Sequence, residues 1–216
     1  MPNIDFDFHK IFVEGQTDQG LIQFILEHKF GITFQNDSAI NNAIIDCKGW
    51  TNLKEKLGLF DNPERETNGV NIIIFDADSK DNHGGIEKRR KQIIELTKNI
   101  KVKSVIFLFP DNESDGDLED FYCSCFKDDY AFFNQCWDSM VSCFKTNGAV
   151  LKLKPIKAAE KVFSYVDLFK AYKEEEYKNS KSKRSYFDKG LWNFDFENNP
   201  MLIKLLTFLT DSLKVE

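Results

Sequence analysis

Apolar residues fall along this chain in two alternating patterns. Short, largely apolar runs occur at Lys10-Ile11-Phe12-Val13, more weakly at Ala43 to Cys47, and again at Val70 to Phe75 and within Val102 to Phe109. Runs of this kind read as strands buried on both faces, the usual strands of a parallel sheet. Between them, apolar positions recur at helical spacing. Leu21, Ile22, Phe24, Ile25 and Leu26 follow the first run, with Thr17 or Asp18 placed to cap the helix. Leu53, Leu57 and Leu59 follow the second, and Ile93, Ile94 and Leu96 mark an amphipathic helix from Ile86 to Asn99 after the third. Strand and helix in alternation predict an α/β fold: a mainly parallel, Rossmann-like central sheet with helices on both faces. The strands ending at Val13, Phe75 and Phe109 are expected at its centre. Beyond residue 128 the alternation stops. Asp129 to Phe144, Ile156 to Tyr172 and Met201 to Leu213 read as helices, so residues 129–216 are expected as a C-terminal helical extension packed on the 1–128 core.

Three acidic clusters sit at or just beyond predicted strand ends. Glu14 follows Val13, Asp76 and Asp78 follow Ile72-Ile73-Ile74-Phe75, and Asp117, Glu119 and Asp120 follow the loop after Phe109. In a parallel sheet these ends lie along one edge, where open α/β sheets place their ligands. Carboxylates converging there suit a hard cation such as Mg²⁺ or Mn²⁺. Taken singly, each cluster is equally a set of turn aspartates or of acids suited to a helix dipole. Asp76 and Asp78 point the same way if strand geometry continues through them.

Composition narrows the picture. The chain has 216 residues, 42% hydrophobic and 30% charged, which fits a folded soluble protein. The 21 Phe, against 3 Trp and 6 Tyr, point to core packing. The net charge of -6 excludes nucleic-acid binding by bulk charge alone, so any such contact needs a local basic patch or bridging cations. Lys88-Arg89-Arg90-Lys91 and Lys181-Ser182-Lys183-Arg184 are the two basic segments. Both read first as solvated surface; Lys88, Arg89, Lys181, Lys183 and Arg184 are the candidate phosphate contacts. Five irregularly spaced cysteines fit free thiols in a reducing cytoplasm better than disulfides or zinc. Neither a signal peptide nor a membrane-length apolar run is visible, so a cytoplasmic protein with no membrane partner is expected.

Two motifs carry a family resemblance. Val13-Glu14-Gly15-Gln16-Thr17-Asp18 resembles the first motif of Toprim domains, the catalytic module of topoisomerases, bacterial primases and nucleases of the overcoming-lysogenization-defect type. Phe75-Asp76-Ala77-Asp78 resembles the second, the Asp-x-Asp that ends a later strand. Phe109-Pro110-Asp111-Asn112 and Gly116-Asp117-Leu118-Glu119-Asp120 are similar to stretches of small stand-alone Toprim-like bacterial proteins of undefined function. The resemblance covers roughly residues 8 to 126. It implies a Toprim-like fold, Glu14 as general acid or base, and a divalent metal on Asp76 and Asp78. In the nuclease branch further acids join the metal; Asp18 and Glu119 are the candidates here, together with Glu14 itself. Asp117, Asp120 and the loop residue His83 stand at the expected rim. The chain departs from many members in carrying Lys80 where a third acid would stand. It also lacks a marked nucleophilic Tyr, a primase zinc module and a Gly-x-x-x-x-Gly-Lys-Ser/Thr loop, so any ATPase would be a separate protein partner.

The leading expectation is a Mg²⁺-dependent protein acting on nucleic-acid phosphodiesters as a nuclease. The alternative is a non-catalytic Toprim-like module that binds nucleic acid or a protein partner. A lesser alternative is a haloacid-dehalogenase-type phosphatase, whose nucleophile also sits in an Asp-x-Asp. That pair, however, belongs on a first strand before Gly and Thr or Val, whereas Ser79-Lys80 follows here.

Overall fold

The computed structural model describes residues 4–80, 83–148, 156–169 and 190–214. The chain forms two compact units, one of Met1–Leu118 with Pro200–Glu216 and one of Glu119–Asn199.

The first unit is an α/β fold. Its sheet has four strands, β1 (His9–Val13), β2 (Ile44–Asp46), β3 (Val70–Asp76) and β4 (Lys103–Phe109), in the order β2-β1-β3-β4. Every pairing is parallel, with Val13 opposite both Asp46 and Ile74, and Asp76 opposite Phe109. β1 and β3 are central, as the runs predicted. β4 is an edge strand and not a central one, because no further strand among the described residues adds beside it.

Alternation along the strands sorts the core into two layers. Phe12, Ile73, Phe75 and Leu108 face Leu53, Phe60 and Ile93, all fully buried. These last three come from a 3-10 turn over Trp50–Lys56, from α3 (Leu57–Phe60) and from α4 (Ile86–Thr97). Phe12 stacks on Phe60 with ring centroids 3.6 Å apart. On the opposite face Phe107 meets Phe208 of the last described helix, α8 (Pro200–Leu213), at 5.4 Å. Helices thus cover both faces. The last helix belongs to the sheet unit and not to the extension expected from residue 129, because its buried Leu202, Leu205 and Leu209 face the core. Two further helices, α1 (Gln16–Lys29) and α2 (Asp37–Ala43), lie between β1 and β2.

A buried arginine braces the edge of the sheet where β1 and β3 begin. Arg65 is 2% exposed. Its Nε donates to the Phe8 carbonyl, Nη1 to that of Leu59, and Nη2 to the Val70 carbonyl and to Asn71 Oδ1. Asn71, itself fully buried in β3, passes a hydrogen bond on to the Phe60 carbonyl at 3.1 Å.

Helix α5 (Leu118–Cys123) runs into the second unit, which also holds α6 (Phe132–Gly148) and α7 (Ala158–Phe169). Its core is aromatic. Phe126 stacks on Tyr165 at 4.0 Å and 9°, and Tyr165 lies 5.4 Å from Trp192. The Tyr165 hydroxyl donates to the Leu191 carbonyl at 2.6 Å and accepts the Lys127 N–H at 3.2 Å. Burial pushes the Tyr165 hydroxyl up to about 12, so it stays a donor. The expected nucleic-acid contacts Lys181, Lys183 and Arg184, and the apolar Phe187, lie outside the described residues.

Candidate functional site

The strand order reverses between β1 and β3: the chain leaves β1 toward β2 on one side and later places β3 and β4 on the other. The carboxyl ends of those two strands therefore flank a switch point, the crevice in which open α/β sheets bind ligands. Glu14 and Asp76 stand on either side of it.

Glu14 follows the last residue of β1 and reaches across the crevice. The Asp76 N–H donates to its Oε2 and the Trp50 N–H to its Oε1, each at 3.3 Å. Burial pushes the Glu14 carboxyl above the ordinary carboxylate range, and the Asp78 charge pushes the same way. The N–H groups of Asp76 and Trp50 and the Arg89 guanidinium offset part of the rise. Glu14 is thus a carboxylate held in a confined place beside a like charge.

Asp76 ends β3, and its Oδ1 accepts the Leu118 N–H at 2.9 Å. Asp78 does not continue the strand. Its φ is +57°, so the expectation that the two aspartates share one face by strand alternation is corrected. Ala77 still pairs with β4 through its N–H on the Phe109 carbonyl, and then the chain turns. Two glycines hold the turn. A Cβ on Gly84 would fall 2.3 Å from that of Asp78, and the Gly116 N–H donates to the Asp78 carbonyl at 3.2 Å. An Asp tolerates this left-handed backbone better than most residues.

The partner of Asp78 is Arg89, one turn into α4. The Arg89 Nη2 forms an ion pair and hydrogen bond with Asp78 Oδ2, and the guanidinium carbon lies 4.2 Å from the centre of the Trp50 ring. Arg89 is 4% exposed, and its Nε is buried with no hydrogen-bond partner. This corrects the first reading of Arg89 as part of a solvated surface. Arg90 also turns inward, to the Asn112 Oδ1 at 2.7 Å; Lys88 and Lys91 stay exposed. The spacing carries the signal: Ile86, Arg89, Ile93 and Thr97 fall on one helical stripe, so position 89 faces inward with its apolar neighbours.

The remaining expected residues sit as follows. Asp18 is buried in α1, where its Oδ2 accepts the Gly15 N–H at 3.1 Å. The helix cap is Gly15 and not Thr17 or Asp18, and Asp18 closes the first turn from inside. Asp117 is half-buried beside Leu118, while His83 is exposed on the turn before Gly84. Glu119 and Asp120 begin the second unit. Trp50 is the site residue that the sequence reading missed. Asp115 is another useful neighbour: its carboxylate accepts the Ile86 N–H at 2.7 Å and caps α4.

The donor chemistry around the switch point suits a hard divalent cation: the Glu14 carboxylate feels the Asp78 charge, with Asp76 alongside. Among the described residues no three His, Cys, Asp or Glu side chains already stand as a cage for a metal. The physical reason lies in their partners, since Asp78 is turned to Arg89 and Asp76 to a backbone N–H. Hollows of about 640 Å³, beside Lys10 and Arg65, and about 530 Å³, beside Phe6 and Phe34, lie away from these acids, and none of the three lines either. No helix among the described residues is long and apolar enough to cross a membrane.

Over residues 9–211 the chain matches the model of a family described as "Protein of unknown function (DUF3226)", and it belongs to that family. No match was found among curated proteins or among solved structures.

Proposed function

We propose that this member of the DUF3226 family is a Toprim-like, metal-dependent nuclease that cleaves nucleic-acid phosphodiesters at the β1/β3 switch point. One observation carries the reading: Glu14 and the Asp76/Asp78 pair, from adjacent strands, meet at the crevice where the sheet order reverses. The order and strand context of the two motifs support it as well.

Glu14 and Asp78 would hold Mg²⁺ or Mn²⁺, with Asp76 as a further oxygen donor. Such an ion supplies neutralisation of charge on a phosphate oxygen and a water of lowered pKa. The chain's own residues do the rest. Glu14, whose affinity for a proton is raised in the metal-free site, is suited to hold or pass one at the scissile group where it does not bind the ion. Gly15 leaves space beside Glu14, since a Cβ there would meet only the Asp18 carboxylate, at 3.5 Å. Exposed Lys88 stands on the helix that carries Arg89 and is suited to a phosphate of the strand.

The test is cleavage of supercoiled plasmid, single-stranded DNA and RNA, each with Mn²⁺ and with chelator. Cleavage that needs Mn²⁺ and is abolished by Glu14→Gln is expected. Cleavage that persists in Glu14→Gln would assign the activity elsewhere.

A second reading has its own observation. Because Arg89 already neutralises Asp78, the site is also suited to a non-catalytic module whose internal guanidinium takes the place of a cation. An Asp78–Arg89 pair that stays intact in Mn²⁺, with no cleavage of any of the three substrates, selects this reading.

A further inference from the structure

We propose that Arg89 is an exchangeable counter-ion: it holds Asp78 while the site is empty and yields Asp78 to a divalent cation. This rests on the metal-site reading above and adds its regulation.

The argument starts from how poorly Arg89 is satisfied. A guanidinium can grip a carboxylate with two parallel N–H bonds. Here only Nη2 reaches Asp78, while Nη1 makes a 3.5 Å contact with Gln92 Oε1 and Nε has no partner. A buried donor left unpaired costs free energy that water would otherwise supply. The pair is therefore weaker than the same two groups could make it.

Its position is nevertheless fixed from the other side. The Trp50 ring supports the guanidinium face at 4.2 Å, and the Trp50 N–H is one of the two donors to Glu14. Arg89 is thereby kept next to both carboxylates while committed to only one of them. The charge count points the same way. Glu14, Asp76 and Asp78 carry three negative charges when ionised, and Arg89 compensates one. A divalent ion arriving at Asp78 competes directly with the guanidinium for the same oxygens. Once displaced from Asp78, the guanidinium fork is free to take a phosphate oxygen beside the cation.

The experiment measures Mn²⁺ dissociation constants for the full chain, by counting free Mn²⁺, in wild type, Arg89→Met and Asp78→Asn. Arg89→Met should bind Mn²⁺ at least tenfold more tightly than wild type, and Asp78→Asn at least tenfold more weakly. Binding by Arg89→Met alone, with none in wild type, overturns the exchange, because Arg89 would then hold Asp78 permanently and not yield it. Equal or weaker binding by Arg89→Met, while Asp78→Asn still loses affinity, overturns the counter-ion role and leaves the metal site standing. No binding by wild type or by Arg89→Met overturns the metal site itself.

A measurement on the wild type covers the case in which Arg89→Met does not fold. The Arg89 Nε–H resonance, identified by its loss in Arg89→Lys, should shift or broaden as Mg²⁺ saturates the protein. A resonance unchanged at saturation overturns the proposal.

Discussion

The sheet unit buries two arginines at opposite edges, and their surroundings differ. Arg65, where β1 and β3 begin, is 2% exposed and spends its donors on three carbonyls and an Asn side chain, with no carboxylate among them. Arg89, where the same strands end, is 4% exposed, faces Asp78 and leaves Nε unpaired. One arginine has a bond on each of its three nitrogens, to backbone carbonyls and a buried Asn. The other is held by one carboxylate and one ring, which leaves it able to exchange. A nearly complete hydrogen-bond set suits a brace, and a partly satisfied one beside carboxylates suits the proposed site.

The largest expected effect is at the brace. Arg65→Met leaves the Phe8, Leu59 and Val70 carbonyls and Asn71 without their donor, at a cost of ~3 kcal/mol or more. The denaturation midpoint in chelator reads it. Arg89→Met in the same assay should cost less than ~2 kcal/mol, because part of its donor set is already unspent. Equal losses would erase the contrast between the two arginines.

Next comes the coupling of Glu14 to pH. Its folded pKa lies above the ordinary value, so without metal it favours the folded state at acid pH. That contribution is lost as pH rises through the raised value. Relative to Glu14→Gln, the wild type in chelator should therefore lose thermal stability between the ordinary carboxylate range and the raised value. Mn²⁺ affinity should move the opposite way, rising over the same window, since the ion needs the ionised carboxylate. A flat difference between the two melting curves would remove the burial of the Glu14 carboxylate beside a like charge from the account.

The smallest effect is expected at a surface cluster outside the comparison. Lys204 bonds Asp111 at 3.1 Å and Glu113 at 2.7 Å. Burial alone would raise the Asp111 carboxyl. The N–H groups of Ser114 and Glu113 and the Lys204 ammonium outweigh it and hold Asp111 below the ordinary range. Its contribution is present above that ordinary range and is lost as pH falls through the lowered value. Lys204→Met should cost no more than ~1 kcal/mol at neutral pH, measured by thermal melting.

The fold was legible because buried parallel strands leave unbroken apolar runs, as in Ile72-Ile73-Ile74-Phe75. The place of β4 at the edge was not, since an apolar run gives burial and not neighbour order. At the site, Glu14 and Asp76 were legible as acids ending such runs. The turn of Asp78 out of the strand was hidden, because it depends on Gly84 and Gly116 packing against it. Arg89 was masked by Lys88, Arg90 and Lys91, which make the segment read as a charged surface, although its register with Ile86 and Ile93 marks the inward face. Trp50 lies far from the motifs in sequence and gave no signal of its own.

The claim at the centre is that the carboxylates of the β1/β3 switch point hold a divalent cation. Anomalous diffraction from crystals soaked in Mn²⁺ tests it most directly. The account predicts a manganese peak between Glu14 and Asp78, with Arg89 withdrawn from the Asp78 carboxylate. An Asp78–Arg89 pair left intact, with no manganese beside it at saturating Mn²⁺, would contradict it.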